Sequence, residues 1–327
     1  MPPTVYGFHD GSACGYYRVT LPLDYLAHKG WTVQTGVGWD DRAKDYRVII
    51  GQRIGKQGDL PGTSTSAIWR RLLLGHRLVY ETDDNFWVID PWNYRAKAEH
   101  NPVMLDAVAA CMRAAHVVTV SVAPLGEVCR PHNPNVVVLG NHIDGRLLDV
   151  ERPRRERVTV GWAGGDSHLG DWQTLGPQLG RFLRRNPQVD LHVIGTDFAG
   201  PLGIPARVTG WQDLWAYYRT IDFDIGLAPL ADTAFNRSKS PIKAVEYGAL
   251  GIPVVASDVG PYRDYVLDGV TGFLVRHDHE WGRYLHLLAS DAGLREEMGA
   301  KAKEQAAEWT IQRGWRRWAD VYEEVAG

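Results

Sequence analysis

Short apolar runs alternate with amphipathic segments along the whole chain. The runs are rich in Val and Ile, as buried strands are, and the segments between them have the helical spacing of apolar positions. No segment repeats with a period of about 20 to 50 residues, which argues against a solenoid. The pattern therefore predicts an α/β fold with parallel sheets.

The alternation forms two series, separated by a charged segment at residues 149–157 that lacks apolar periodicity. Strands are predicted at residues 4–8, 33–35, 46–51, 77–82, 117–120 and 135–139, and then at 158–161, 189–194, 206–209, 225–229 and 252–256. Helices are predicted near residues 14–29, 67–74, 102–114, 123–130, 172–185, 214–220 and 243–249, and beyond them toward the C-terminus. We predict two Rossmann-like, doubly wound domains, residues 1–150 and 151–308, facing a central cleft where ligands bind at the strands' carboxyl ends.

The composition fits this picture, because 327 residues, 44% hydrophobic and 23% charged, suffice for about two globular domains. No apolar run approaches the roughly 20 residues that span a bilayer, and the N-terminus lacks a signal-peptide pattern. We therefore expect a cytoplasmic protein without a transmembrane segment. The three cysteines lack metal-site spacing and are expected to be reduced packing residues. The formal charge of -3 argues against a non-specific nucleic-acid binder.

The segment from residue 236 to 257 carries the clearest chemical signal. A basic loop with Arg237 and Lys239 precedes a predicted helix whose first turn holds Pro241 and Lys243. Proline suits a first turn because its missing N–H needs no partner, and the free N–H groups there attract anions. We therefore predict an anion site that takes a diphosphate.

Glu246 follows Lys243 by three residues and shares its helix face. A carboxylate at this position is able to accept two hydroxyl hydrogen bonds, as it would from a ribose. A ribose site beside a diphosphate site indicates that the chain binds a nucleotide.

Five motifs between residues 207 and 275 strengthen this interpretation. They are Gly210-Trp211, residues 222–229, Lys243-x-x-Glu246-Tyr, Gly251-Ile-Pro-Val-Val and Asp268-Gly-x-x-Gly-Phe-Leu-Val. In this order and spacing they resemble the C-terminal half of GT-B glycosyltransferases of the retaining family 4 kind, the glycosyl transferases group 1. A weaker resemblance extends over residues 7–15, 137–144 and 158–165.

The resemblance implies a GT-B fold in which the second domain binds a nucleoside diphosphate sugar and the first binds an acceptor. Glu246 is then expected to bind the ribose, and Lys243 and Lys239 the diphosphate, with UDP as the expected nucleotide and GDP as the runner-up. The other residues predicted for the donor side are Arg237, Ser238, Ser240, Gly164, Gly165, His168, Gly210 and Trp211, of which the last two would lie against the nucleobase. The implied reaction is sugar transfer to a hydroxyl acceptor with retention. Residues 309–327 are expected to form a helix that packs back on the first domain.

Two departures from the family pattern concern the donor side. Family members usually carry a glutamate eight residues before the position of Glu246, where it touches the donor sugar, but this chain has Ser238 there. The usual Arg and Lys after the first strand of the donor domain are also missing, and the sequence around His168 takes their place. We interpret His168 either as a phosphate contact or as an exposed loop histidine.

On the acceptor side, polar residues follow a predicted strand at Asp83, Asp84 and Asn85. Either carboxylate is a candidate catalytic group that orients an acceptor hydroxyl or the donor sugar. The alternative is that one of them caps a turn or a helix.

The end of the first predicted strand gives a second acceptor-side cluster: His9, Asp10, Gly11 and Ser12. His9 is a third catalytic candidate, and the glycine lets backbone N–H groups approach a sugar or phosphate. A simple tight turn is the alternative.

We expect no cofactor and no metal, because basic side chains and a helix N-terminus stabilise a leaving diphosphate directly. Asp222-Phe-Asp224 matches a metal-binding DxD pattern but precedes an apolar run, so we interpret it as the structural entry to a strand. The acceptor stays open between a glycan, a lipid, a protein and a modified nucleobase. Other functions also stay open: a sugar-nucleotide epimerase or hydrolase on the same fold, or a non-catalytic subunit that binds sugar nucleotides.

Overall fold

The computed structural model describes residues 1–38, 40–55, 69, 75–93, 97 and 100–327. Its first half contains strands β1 (Val5–His9), β2 (Val33–Val37), β3 (Val48–Gln52), β4 (Arg77–Thr82), β5 (Val117–Val120) and β6 (Val136–Val138). Its second half contains β7 (Thr159–Gly164), β8 (Asp190–Gly195), β9 (Arg207–Thr209), β10 (Ile225–Ala228), β11 (Val254–Ser257) and β12 (Gly272–Val275). Each half forms one parallel six-stranded sheet.

Helices flank both sheets. In the first half they are α1 (Ala13–Gly15), α2 (Leu21–His28), α3 (Pro102–Ala114) and α4 (Ala123–Cys129). In the second half they are α5 (Leu169–Arg185), α6 (Leu214–Thr220), α7 (Ala234–Arg237), α8 (Ile242–Ala249), α9 (Gly260–Tyr265), α10 (Asp278–Ser290), α11 (Ala292–Ala307) and α12 (Ile311–Ala326). The predicted helix at 67–74 lies outside the described residues apart from Trp69.

The strand orders, β2-β1-β3-β4-β5-β6 and β12-β11-β10-β7-β8-β9, confirm the predicted doubly wound architecture. Each order reverses its direction once, between β1 and β3 in the first sheet and between β7 and β10 in the second. Crevices open at such switch points beyond the carboxyl ends of the strands, and ligands bind there. The loops that follow these four strands are therefore the ones that line the cleft.

The helical segment after β1 is not one regular helix. Tyr16–Thr20 forms a π-helical turn, in which the N–H of Leu21 donates to the carbonyl of Tyr16. Pro22 lacks the N–H that would bond to the carbonyl of Arg18, so the regular ladder is broken at this point. The widened turn carries Tyr17 and Arg18, and both of their side chains are buried between elements.

The last helix, α12, lies against the first half of the chain. Ile311, Trp318 and Tyr322 are buried in the core that contains Val5 of β1 and Leu23 of α2. Helix α12 shares one hydrophobic core with β1 and α2, so it packs on the first sheet and not on the second. Trp309, which precedes the helix, packs edge-on against Tyr265 of the second half instead.

The structure differs from the predictions at several element ends and in one strand. Helix α5 begins at Leu169 instead of near residue 172, and its Gly170 lies under Trp92, whose ring is 2.1 Å from where a Cβ would stand. Strand β12 completes the second sheet, although apolar periodicity alone did not predict it.

The three cysteines are free, and two of them are buried. None of the helices in the described part of the chain is long and apolar enough to cross a bilayer.

Candidate functional site

A cavity of about 1190 Å³ lies between the two halves, at the carboxyl ends of both sheets. One wall is formed by the loops after β1, β3 and β4, and the other by the loop after β7 together with the start of α8. Both walls therefore include loops from the switch points of the two sheets, where the fold predicts a ligand site, and the first also includes the loop after β4.

Glu246 lies on α8 at the boundary between the two walls and is 6% exposed. Tyr17 and Tyr218 donate hydrogen bonds to its Oε1, the latter over 3.1 Å, and Tyr217 donates to Oε2 over 3.3 Å. Burial raises the pKa of Glu246, while the tyrosine hydroxyls and Lys243 oppose that rise. The carboxylate is thus surrounded by hydroxyl donors, the type of group that a ribose would present.

Lys243 lies one helical turn before Glu246 and also lines the cavity. Its Nζ donates to the carbonyl oxygen of Ala163, at the end of β7, and lies 5.2 Å from the ring centroid of Trp162. Burial lowers the pKa of Lys243 to about 8, so the ammonium loses its proton just above neutral pH. An anion bound in the cavity would favour the charged form.

Lys239 and Ser240 line the cavity beside the first turn of α8. The Nζ of Lys239 lies 5.0 Å from the ring centroid of Phe235. Ser240 accepts a hydrogen bond from Asn141 of the first half, Nδ2 to Oγ, over 2.8 Å. The structure thus brings both predicted lysines and Ser240 together at one helix N-terminus.

His168 also lines the cavity, but it is not the exposed loop residue of the alternative interpretation, since its side chain is only 15% exposed. Its Nδ1 lies 2.6 Å from Asp171 Oδ2. Burial, and then the charge of Lys239, lower the pKa of His168 to about 4, despite the hydrogen bond to Asp171. The ring is therefore neutral at pH 7 in the ligand-free site, with its proton on Nδ1, and a phosphate bound beside Nε2 would favour the charged form.

The loop after β7 places Gly164 and Gly165 in the cavity wall beside Trp211, which is 56% exposed. Gly195 at the end of β8 has a φ of +99°, and a Cβ there would meet the carbonyl oxygen of Gly164 at 2.3 Å and the Trp211 ring at 2.8 Å. Only glycine allows this approach, which holds the indole over the strand ends. Gly210 is adjacent to Trp211 but is not among the described residues that line the cavity.

Two predicted donor residues point away from the cavity. Arg237 is exposed and forms a bidentate ion pair with Asp232, so the prediction that it contributes to the anion site is not supported by its position. Ser238 is buried, donates to the carbonyl of Ala234 and accepts from Asn85 of the first half over 3.4 Å. Asn85, which was predicted on the acceptor side, therefore contacts the second half of the chain. It is not among the described residues that line the cavity.

The first-half wall is organised around Arg53, a buried side chain that the sequence analysis missed. Its guanidinium lies 2.7 Å from Asp83, 3.0 Å from Asp84 and 3.3 Å from Asp10. Burial opposes ionisation of Asp83, but Arg53 holds the pKa of that carboxyl below its usual range. Of the two catalytic candidates, Asp83 is enclosed, whereas the side chain of Asp84 is 27% exposed to the cavity side. Asp84 is therefore the carboxylate that an acceptor reaches more easily.

His9, the third catalytic candidate, has both ring nitrogens engaged locally. Its Nδ1 accepts from the N–H of Gly11 over 3.1 Å, and its Nε2 lies 3.2 Å from Thr20 Oγ1. Burial lowers the pKa of His9, which keeps the ring neutral. His9 lines the cavity, and these contacts let it hold the loop of Asp10 and Ser12, where the backbone N–H of Ser12 donates to Asp10.

The residues around Glu246 were also missed, because Tyr17 and the Tyr217-Tyr218 pair lie some two hundred positions apart in the sequence. For the first-half wall, the available signal was a polar residue directly after a predicted strand, as at Gln52 and Arg53 after the strand predicted at residues 46–51. No such signal exists for tyrosines on helices.

The Asp222-Phe-Asp224 pattern is structural, as predicted. Asp222 is buried against His192 over 2.6 Å and Arg155 over 2.7 Å, and Asp224 accepts from the backbone N–H of Thr159. The described residues contain no group of three or more side chains suited to holding a metal ion.

Comparisons with known proteins concern the family and the fold. Residues 205–305 match the family model of Glycosyl transferases group 1. A D-inositol 3-phosphate glycosyltransferase from Thermobifida fusca (strain YX) is 31% identical over 183 residues, which are 54% of this chain and 36% of that protein. One from Salinispora tropica is 37% identical over 137 residues, 39% of this chain and 27% of that protein. The chain thus matches less than half the length of these curated relatives.

Solved structures match over almost the whole chain. The Anabaena protein Alr3699/HepE in complex with UDP and glucose has a TM-score of 0.66 at 14% identity, covering 98% of this chain and 100% of that one. Sucrose-phosphate synthase from Thermosynechococcus elongatus has a TM-score of 0.70 at 15% identity, covering 99% of both chains. Together with the two sheets, these neighbours identify the fold as GT-B.

Proposed function

We propose that this chain, which carries a glycosyl transferases group 1 domain at residues 205–305, is a glycosyltransferase that uses a nucleoside diphosphate sugar and a hydroxyl acceptor. The observation that carries the proposal is the pair of half-buried Lys243 and buried Glu246, one turn apart on α8, both lining the cavity. A cation and a carboxylate at this spacing suit a diphosphate and the ribose next to it. The complex of Alr3699/HepE with UDP and glucose favours UDP as the nucleotide, with GDP as the runner-up.

The proposed chemistry needs negative charge to be stabilised as the bond between sugar and diphosphate breaks. Lys243, Lys239 and the free N–H groups of the first turn of α8 converge where that charge would develop. Because Lys243 is buried, its field is weakly screened by water, which strengthens the stabilisation. We propose on this basis that transfer is independent of a divalent metal and of any cofactor, so EDTA should leave the rate unchanged.

The acceptor hydroxyl is proposed to approach from the first-half wall, where Asp84 is the accessible carboxylate. It would orient the hydroxyl and accept a hydrogen bond from it. Retention of the anomeric configuration is proposed from the resemblance to family 4 enzymes, and NMR of the newly formed product distinguishes it from inversion.

Thermal stabilisation by UDP, GDP, ADP, CDP and dTDP tests the donor side. A nucleotide at 100 times its dissociation constant adds about 2.7 kcal/mol to the unfolding free energy. The Lys243→Ala and Glu246→Ala variants should lose most of that stabilisation. Lys301 and Glu304 have the same three-residue spacing on the exposed face of α11, 3.0 Å apart, so their alanine variants are matched controls that should not lose it. Unchanged nucleotide affinity in both site variants would refute the assignment.

Consumption of the donor sugar separates the three functions left open by the sequence. A glycosyltransferase consumes the donor faster when its acceptor is added and releases the diphosphate. An epimerase or hydrolase turns over at the same rate with or without an acceptor. A binding subunit shows nucleotide-dependent stabilisation and no turnover at all.

A further inference from the structure

The first-half wall of the cavity holds polar groups for which the fold supplies no partner. Strands β1, β3 and β4 are neighbours, so the residues at their carboxyl ends meet on this wall. Gln52, the last residue of β3, lines the cavity and is only 3% exposed. Within the described part of the chain, neither its Nε2 nor its Oε1 has a hydrogen-bond partner. Such a buried amide is rare, because an unpaired buried polar group is destabilising.

Ser12 is a second group of this kind on the same wall. Its backbone N–H is bonded to Asp10, but its Oγ is buried and has no partner among the residues that the structure describes. Gln52 offers two N–H donors and a carbonyl acceptor, and the hydroxyl of Ser12 both donates and accepts. A ligand that satisfies all of them needs several groups that each donate and accept, and a set of hydroxyls on adjacent carbons has this property.

The charges on the wall restrict the ligand further. Asp10, Asp83 and Asp84 surround Arg53, so three carboxylates face one guanidinium and the cluster has a formal charge of -2. Arg53 is the one permanent cation on this wall among the described residues that line the cavity, and its donors already face the carboxylates. An anionic group placed there would meet uncompensated negative charge in a poorly hydrated site.

The backbone at Arg53 supports a built site rather than a chance grouping. Its φ is +52°, in the left-handed region that residues with a side chain rarely adopt. Its N–H donates to the carbonyl oxygen of Glu81 over 2.8 Å, which fixes the turn after β3. The strained turn brings the guanidinium between Asp10 and Asp83, and strain of this kind concentrates at functional sites.

We propose that this wall is the acceptor subsite and that it selects a polyhydroxylated molecule without an anionic group. Gln52 and Ser12 bind hydroxyls of the acceptor, and the carboxylates of Asp84 and Asp10 accept hydrogen bonds from others. Phosphorylated and carboxylated acceptors are rejected by the excess of carboxylates. This inference rests on the proposed glycosyltransferase function, and it narrows the acceptor from any hydroxyl compound to neutral or amino-bearing polyols.

The first test measures binding of small polyols to the full-length protein saturated with UDP, by saturation-transfer NMR. The probes are myo-inositol, methyl glucoside and glycerol, each paired with its monophosphate (inositol 1-phosphate, glucose 6-phosphate and glycerol 3-phosphate). At least one neutral compound should bind, and at least tenfold more tightly than its phosphate. Tighter binding of a phosphate, or binding of none of the six while UDP still binds, would overturn the subsite proposal and leave the donor assignment intact. Failure of UDP to bind would instead count against the proposed function.

The second test uses the Gln52→Leu variant, whose side chain has nearly the same volume. Because the amide has no partner to lose, the melting temperature should not fall. The affinity for the preferred polyol should drop at least tenfold, while the UDP affinity stays unchanged. Gln173→Leu, at an exposed position on α5, is the matched control and should change neither affinity. Equal polyol affinity in wild type and Gln52→Leu would contradict the role of Gln52.

Discussion

If Glu246 binds the ribose as proposed, the hydroxyl of Tyr17 competes with that ribose for the same carboxylate, and this makes a strong prediction for Tyr17→Phe. Tyr17 belongs to the first half of the chain, yet it donates to Oε1 of Glu246 on α8 in the second half. The same oxygen accepts from Tyr218 over 3.1 Å, and the two hydroxyls lie 2.9 Å apart. Because two tyrosine donors already contact Oε1, we expect a vicinal pair of ribose hydroxyls to displace one of them when it binds the carboxylate.

The magnitude follows from the energy of one hydrogen bond to a charged group. Such a bond contributes about 1.5 to 3 kcal/mol, and Tyr218 remains to satisfy Oε1 in part, so the net loss in the nucleotide-free variant is about 1 kcal/mol. That cost disappears when the ribose replaces the missing hydroxyl. The Tyr17→Phe protein should therefore bind UDP about fivefold more tightly than wild type, and its nucleotide-free form should melt a few degrees lower.

Isothermal titration with UDP at pH 7 measures the affinity, and a melting curve with and without UDP measures the stability. Tyr80→Phe is the matched control, because its buried hydroxyl donates to the carbonyl of Ile54 over 3.0 Å and not to Glu246. It should lower the melting temperature without changing the UDP affinity. Weaker UDP binding by Tyr17→Phe would mean that Tyr17 keeps its bond in the complex, and the displacement argument would be refuted.

Three further predictions follow from other buried charges. UDP affinity should fall as the pH rises above about 8, where Lys243 of the free protein loses its proton. The Lys243→Arg variant should remove this pH dependence between pH 7 and 9. An equally steep fall in both proteins would show that another group titrates. Asp222→Asn should lower the melting temperature, because it weakens the pairing with Arg155, yet leave the UDP affinity unchanged with or without Mg²⁺. Arg18→Leu should lower the unfolding free energy by about 3 to 5 kcal/mol, because it leaves the buried carboxylate of Glu81 without its partner at 2.6 Å. Denaturant titration measures this loss. The double variant with Glu81→Leu should recover part of the lost unfolding free energy, which is the check.

Local spacing was enough to predict the two doubly wound halves and the shared helix face of Lys243 and Glu246. The strands and most helix boundaries follow from apolar runs whose burial depends on neighbours close in sequence, and the three-residue separation of Lys243 and Glu246 fixes a shared helix face before any tertiary contact is known. Arg237 lies in the same basic loop but was misplaced by this reasoning. Its direction is decided by Asp232, five residues earlier, which captures the guanidinium on the surface.

The remaining parts of the site depend on contacts that no local pattern encodes. Arg53 is central to one wall because three loops converge on it and its backbone adopts a left-handed conformation, neither of which spacing predicts. His9 was predicted as a catalytic candidate from its position at a strand end, and the structure adds that the N–H of Gly11 and the hydroxyl of Thr20 engage both of its nitrogens. A residue type at a strand end thus indicates where a site lies, whereas its hydrogen-bond partners decide what it is able to do.

The contacts across the cleft explain why the two halves should not act independently. Among the described residues, four side-chain hydrogen bonds join the first half to one segment of the second half, residues 233–246, which includes the proposed anion-binding turn. They join Asp90 to Thr233, Asn85 to Ser238, Asn141 to Ser240 and Tyr17 to Glu246. Asn141 is itself held by Arg18 over 2.9 Å, so the buried ion pair of Arg18 and Glu81 supports a residue that contacts the loop before α8. If a nucleotide displaces Tyr17 as predicted above, it removes one of these four bonds, and nucleotide binding then changes the contacts between the two halves beside the first-half wall.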